Sequence, residues 1–262
     1  MKIVFFGNPK FAPFYLAALN GAGHEIVGIE GAPDLGVIAY YGKIIPRKTL
    51  EIPKHGFINI HPSLLPRYRG PSPVRTAILA GDKITGVTIH ITVPKVDAGP
   101  IIAQKEFPIN PEDNYEALEE KLFREAAGML PRAIEDWLSG KIILKEQDES
   151  KATYTKIIKT EDGHINWGRT PEEILRQIRA LSPNPGVFTF FEKKRLLILK
   201  AKTEIYPNEK SPGEVIKTSA GFKISCKNGF LIPLRVKLEG KKETAPEAFL
   251  HGHRDIIGKI LT

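Results

Sequence analysis

One cysteine, Cys226, occurs among 262 residues. That excludes an internal disulfide framework and suits a reducing compartment, with Cys226 itself expected as a small core residue. Long hydrophobic runs are missing too. The N-terminal MKIVFFGNPKFAPF has an apolar run of only about four residues before Gly7, too short for a signal peptide or a membrane span, so it reads as a first strand. A cytoplasmic protein with no membrane association is expected. The turn Phe6-Gly7-Asn8-Pro9 has one glycine where a dinucleotide fingerprint needs three, and no Walker-type phosphate loop follows. No metal is expected either: His251 and His253 form an H-x-H near the C-terminus without a cysteine or carboxylate cluster and read as a surface tail. His24, His55, His90 and His164 are scattered and carry no pattern. G-x-S-x-G is absent, which disfavours a Ser63-His61-Asp97 hydrolase, because Ser63 adjoins Pro62 and sits two positions from its supposed base.

The remaining composition, 42% hydrophobic and 26% charged, is that of a soluble globular chain with ample core. Its net charge of +8 is unevenly placed. Residues 1–155 hold 18 Lys+Arg and 18 Asp+Glu, whereas residues 156–262 hold 20 and 12. A neutral N-terminal half for chemistry and a basic C-terminal half facing a polyanion such as nucleic acid follow from that split. A lysine-rich solvated surface gives the same count.

Lys2–Phe6 reads as a strand, Pro13–Asn20 as a helix stopped by Gly21, and Glu25–Ile29 as a second strand, a β-α-β opening. Leu35–Tyr40 is a further strand, followed by a turn at Gly42 and a short basic helix near Pro46–Leu50. Gly31–Asp34 is then too short for a parallel crossover, which takes a dozen or more residues. Either these strands are not parallel neighbours or a crossover is missing; absence is the expectation. Downstream, Pro73–Ala80 is helical, Gly86–Val93 is a strand, and Asp97-Ala98-Gly99-Pro100 is a tight loop before an extended piece from Ile101. Asp113 or Asn114 caps an amphipathic helix that Pro131 kinks or breaks, and polar residues 141–168 read as a linker. Thr170 and Pro171 open a last long helix ending at Leu181. From Val187 on, short strands at roughly ten-residue spacing suggest a small barrel or sandwich.

The segment with most chemistry is Asn59-Ile60-His61-Pro62-Ser63-Leu64-Leu65-Pro66-Arg67-Tyr68-Arg69-Gly70. On a strand over Phe57–Ile60, Asn59 and His61 leave the same face and look into one pocket at the strand's end. An amide stabilises a developing oxyanion and an imidazole moves a proton near neutral pH, which points to acyl-group transfer. Asp97, in a loop expected at the same sheet end, is the candidate to orient His61 and raise its pKa. Taken singly, Asn59 fits a turn, His61 a hydrogen-bonded structural histidine and Asp97 a D-x-G turn. The twelve-residue string favours the functional reading.

That string, with GDKITGVT at 81–88 and DAGPI at 97–101, strongly resembles the 10-formyltetrahydrofolate-dependent formyltransferases. FFGNPKFA, AYYGKIIP (39–46), ATYTKII (152–158), INW (165–167) and GKK (240–242) fall in family order, so the resemblance covers nearly the whole chain. It implies an α/β fold: a Rossmann-like, mostly parallel sheet in a catalytic domain over 1–155, then a linker and an OB-like β-barrel over 156–262 that helps grip tRNA. The implied activity is formyl transfer from 10-formyltetrahydrofolate to the α-amine of methionyl initiator tRNA in translation initiation, by a monomer. By position, Asn59, His61 and Asp97 match the catalytic trio. Gly42, Lys43, Ile44 and Ile45 match a loop cradling the pterin, joined by Pro94 and Val96. Asn8 and Phe11 match the region near the aminoacyl group, and Ser63, Leu64, Leu65 and Pro66 a pocket wall. Family members carry a longer stretch where this chain has Gly28-Ile29-Glu30-Gly31-Ala32-Pro33-Asp34, including a basic loop implicated in holding the acceptor end. An amino-sugar-nucleotide acceptor, or a weakened tRNA-binding protein, are the alternatives.

Overall fold

Lys2–Gly7 (β1) leads through Ala12–Gly21 (α1) to Glu25–Ile26 (β2), then to Leu35–Ala39 (β3), Arg47–Leu50 (α2), Phe57–His61 (β4), Pro73–Ala80 (α3), Ile84–Ile91 (β5), Ile101–Pro108 (β6) and Tyr115–Leu138 (α4). The computed structural model describes every residue of the chain except Ile44. It divides into two compact units, Met1–Ala77 with Asp82–Ile157 and Ile78–Gly81 with Ile158–Thr262. The first is built on a six-stranded sheet in the order β2-β1-β3-β4-β5-β6. The pairs β1–β2, β1–β3 and β3–β4 are parallel, whereas β4–β5 and β5–β6 are antiparallel. It is a mixed, parallel-rich Rossmann-like sheet. β4 lies in its middle, with Ile58 and Ile60 buried on one face and Asn59 and His61 alternating with them.

The short connection between β2 and β3 is resolved by topology. Ile3 of β1 pairs with Ile26 on one side and with Leu35 on the other, so the two strands flank β1 and are not neighbours. β2 is only two residues long, not five, and a segment with a single 3₁₀ turn at Ile29–Gly31 carries the chain from one edge of β1 to the other. Asp34 N–H then donates to Lys2 O (2.8 Å) and starts β3 at the level where β2 stopped. No return path along a strand is needed.

Two further expectations change. Asn114 caps α4 by accepting the Ala117 N–H, but Pro131 does not end it: the helix runs unbroken to Leu138. Leu122, Ala126 and Leu130 before the proline and Ala133 and Ile134 after it are all buried, so packing on both sides outweighs the lost backbone bond, roughly 3 kcal/mol. Nor is the stretch after α4 a free linker. Lys145 exchanges backbone hydrogen bonds with Ile101, and Tyr154 bridges Arg69 in parallel. Residues 145–155 thus form a strap across the first unit.

In the second unit Thr170 and Glu173 form a reciprocal capping box at the start of Pro171–Leu181 (α5). Phe188–Phe191 (β7), Lys194–Ile205 (β8), Val215–Thr218 (β9), Gly221–Cys226 (β10) and Gly229–Leu238 (β11) make an antiparallel sheet in the order β7-β8-β11-β10-β9, followed by Pro246–Gly252 (α6). Leu196, Ile198, Ile224, Leu231 and Val236 fill its inner face, and Cys226 is buried there. His253 stacks on Phe249 at 4.5 Å between ring centres, so this end of the H-x-H is packed and not a loose tail.

Candidate functional site

Asn59 and His61 stand on one face of β4 because they are two residues apart on a strand. Asp97 reaches them from the hairpin loop between β5 and β6. It does so from the opposite direction to the one expected: β5 is antiparallel to β4, so Ile91 ends beside Ile58, at the start of β4. The loop folds back, closed by Ile91 N–H to Pro100 O (3.0 Å) and Thr92 N–H to Phe57 O (2.7 Å). Its carboxylate therefore lies over the strand face and not at the strand's far end.

There the Asn59 amide nitrogen donates to Asp97 Oδ1 (3.2 Å), while Asp97 Oδ2 accepts the Gly70 N–H (2.8 Å) and lies 3.5 Å from His61 Nδ1. His61 Nε2 is 2.9 Å from Tyr68 O, a pure acceptor, so Nε2 carries hydrogen and Nδ1 is the nitrogen free to gain or lose one. A fourth side chain completes the group. His90 faces Asn59 directly across the β4–β5 pair, with Nε2 3.3 Å from the amide nitrogen and 3.6 Å from Asp97 Oδ1. Its Nδ1 lies against Ile91 O (2.9 Å), so Nδ1 donates and Nε2 is left to accept from Asn59.

Burial decides the charges. The His61 pKa is pushed below its ordinary value of 6.5 by desolvation, which outweighs the pull of Asp97 and of the Tyr68 carbonyl in the other direction, with His90 adding to the lowering. The expectation of a raised His61 pKa is corrected: the carboxylate is present, but an imidazole only 4% exposed loses more hydration than one ion pair returns. For Asp97 the balance falls the other way. Burial alone would raise its pKa, yet His61, His90 and the Gly70 N–H together hold it well below the usual carboxylate range. At neutral pH the site pairs a neutral imidazole with an ionised carboxylate.

Comparison with known proteins agrees with this chemistry. A family model described as formyl transferase matches residues 1–134, and one described as formyl transferase, C-terminal domain, matches residues 157–254. The chain belongs to the formyl transferase family. Methionyl-tRNA formyltransferase from Chloroflexus aurantiacus is 38% identical over 265 residues, covering 84% of this chain and 86% of the relative. That alignment is longer than the whole chain, so the relative carries residues inside the matched stretch that this family member lacks. The enzyme of the same name from Thermodesulfovibrio yellowstonii is 39% identical over 222 residues, covering 85% of this chain and 71% of its own. Among solved structures, HypX from Aquifex aeolicus in complex with tetrahydrofolic acid has the same fold, with a TM-score of 0.72 at 20% identity over 96% of this chain and 47% of that one.

In this formyl transferase a cavity of about 420 Å³ opens beside the trio. Asn59 and Asp97 line it, as do Lys43, Ile45, Pro94 and Val96 from the sequence-derived set. Ile38, Arg47, Leu50, His90, Thr92 and Val93 join them without having been anticipated. His61, 4% exposed, is not among the lining residues and stands just behind two that are, with Nδ1 3.5 Å from Asp97 Oδ2 and its ring 6.5 Å from that of His90. Gly42, exposed at φ +71°, stands outside the lining, and Ile44 lies outside the described residues. Ser63, Leu64, Leu65 and Pro66 do not wall this cavity. Ser63 is fully buried with its hydroxyl donating to Arg67 O (2.7 Å), and Leu65 is held between Thr88 and Gln104. Phe11 is buried, stacked on Phe123 and edge-on to Tyr40, while Asn8 turns the chain after β1. Among the described residues no helix is long and apolar enough to cross a membrane.

Proposed function

We propose that the chain transfers the formyl group of 10-formyltetrahydrofolate to the α-amine of methionyl initiator tRNA. The observation that carries the acceptor is the 38% identity, over 84% of the chain, to a methionyl-tRNA formyltransferase. The cavity supports the donor: Ile38, Leu50, Val93 and Pro94 offer apolar walls for a flat heterocycle, and Asn59 and Asp97 supply the polar edge where the formyl group must lie.

In the transfer the attacking amine gives up a proton, the folate nitrogen gains one, and the formyl oxygen carries negative charge in between. Asn59 donates to that oxygen, exchanging the long contact to His90 for it while keeping Asp97. Asp97 stays ionised and draws the amine's proton toward neutral His61, whose Nδ1 is open to receive it. Protonated His61 is then stabilised by the same carboxylate until the proton passes to the leaving nitrogen.

The second unit, read as an OB-like barrel of a tRNA-gripping domain over 156–262, supplies the polyanion surface, its excess of basic residues being the support. A monomer working in the cytoplasm completes the reading. The test is formylation of charged initiator tRNA by the purified chain, with an amino sugar nucleotide as control acceptor. Transfer to the tRNA at ordinary enzymatic rates supports the proposal. Transfer only to the sugar, or salt-sensitive tRNA binding without transfer, refutes it.

A further inference from the structure

Asp97 has its backbone in the left-handed region (φ +48°), and a Cβ on Gly99 would come within 1.8 Å of Ile91 O, so the loop is folded as tightly as it can be. Such a conformation persists only where the surroundings hold it. The holding group comes from the strap. Gln147 Nε2 donates to Asp97 O (2.8 Å) and to Gly99 O (2.7 Å), one carbonyl at each end of the turn. Its Oε1 accepts from Arg69 Nε (3.1 Å) and Nη2 (2.8 Å). Both donor hydrogens and both acceptor positions of the amide are used. Arg69 is fully buried and precedes Gly70, whose N–H holds the Asp97 carboxylate. One buried amide therefore ties the Asp97 backbone to the segment that grips its side chain.

Glu149, also from the strap, bridges Arg69 Nη2 (2.8 Å) and Lys95 Nζ (2.6 Å). Glu149 and Lys95 are both exposed, so solvent screens their pair and it holds the loop weakly. The pair with buried Arg69 is two-pronged (Nη1 to Oε2, 3.2 Å) and ties the strap to Arg69 and not to the loop. Gln147, 9% exposed, makes its bonds where an unpaired carbonyl is costly.

We propose that Gln147 is a positioning residue for formyl transfer, holding the Asp97 loop against Arg69 so that the carboxylate stands between Asn59 and His61. The proposal rests on the function given above. It also explains why the amide must be an amide: Gln147→Glu keeps an acceptor for Arg69 but sets an anionic oxygen against two carbonyls. The full chain carrying Gln147→Glu is to be compared with wild type by thermal melting, by kcat and KM for both substrates, and by the NMR signals of the His61 imidazole. The expected result is a folded protein whose kcat falls about 100-fold, the cost of displacing a reacting group by about 1 Å. Both KM values stay within about twofold, as for a loss confined to the transition state. The His61 signals move. Should Gln147→Glu not fold, Gln147→Met, which unpairs the carbonyls without adding charge, decides on the same readouts. Wild-type kcat in a folded variant, or His61 signals that stay in place, overturns the proposal. If wild type forms no formylmethionyl-tRNA, the function fails, and the His61 signals in the variant still decide whether Gln147 positions Asp97.

Discussion

The Asn59 amide donates to the Asp97 carboxylate across 3.2 Å, although the two residues lie 38 apart in the chain, one on β4 and the other in the loop that follows the antiparallel β5. That bond joins the proposed oxyanion donor to the proposed acid–base pair, Asp97 and His61, in one hydrogen-bonded unit. It sets the Asn59 oxygen–nitrogen assignment, since only the NH₂ end can face a carboxylate. It also aims the remaining N–H at His90 and, through it, at the cavity.

Asp97→Asn keeps the shape of the side chain but removes the charge that orients Asn59 and supports protonated His61. A fall in kcat of about 10²–10⁴-fold is expected, the range for general acid–base catalysis, with KM for the folate donor changed little. Steady-state kinetics with both substrates varied measures it. A variant within threefold of wild type, on the order-of-magnitude scale of such effects, contradicts the assigned role.

The pH dependence has a definite sign. His61 has its pKa lowered in the folded state from 6.5, so its neutral, proton-accepting form predominates at pH 7 and is lost as pH falls through the lowered folded pKa. The acid limb of kcat/KM therefore lies below pH 6.5. Both His61 and Asp97 bind protons more weakly when folded than unfolded. Their contribution to stability is thus present above their unfolded pKa values and disappears as pH falls, first through the histidine range and then through that of the carboxylate. Denaturant midpoints at pH 7.5 and pH 5 (about one unit above and 1.5 below an ordinary histidine pKa) test the first step, and the lower pH is expected to give the lower midpoint.

How much of this was legible follows from what is local. Spacing alone put Asn59 and His61 on one face, and Thr170 with Pro171 marked the start of α5. His90 was missed because a lone histidine in T-I-H-I-T has no partner in sequence; its partner is Asn59 on another strand, found only once the β4–β5 register is known. The period-two run Thr88, His90, Thr92 was the available signal. The strap was missed for the same reason: Gln147 looks like linker until Arg69 and the Asp97 loop are seen around it. The sign of the His61 shift was beyond sequence, since it is the difference between a desolvation cost and an ion-pair gain that both depend on depth.

In the second unit Lys200 and Arg235 stand directly opposite one another on β8 and β11, both exposed. Like charges in that position repel, and the pairing of Arg235 with Glu243 (2.6 Å) offsets part of that cost. Lys200→Glu is expected to leave folding unharmed or slightly improved. It should weaken tRNA binding and reduce the slope of log K against log salt by about one. Titrations at several salt concentrations read both effects; an unchanged slope removes Lys200 from the binding surface.

The central claim is that Asn59 stabilises the charge that develops on the formyl oxygen. It is tested most directly by the single-turnover rate of formyl transfer to methionyl initiator tRNA in Asn59→Ala against wild type, at saturating donor. The account predicts a fall of about 10²–10³-fold, the loss seen when one oxyanion donor is removed, with tRNA and folate affinities retained. A rate close to wild type contradicts it.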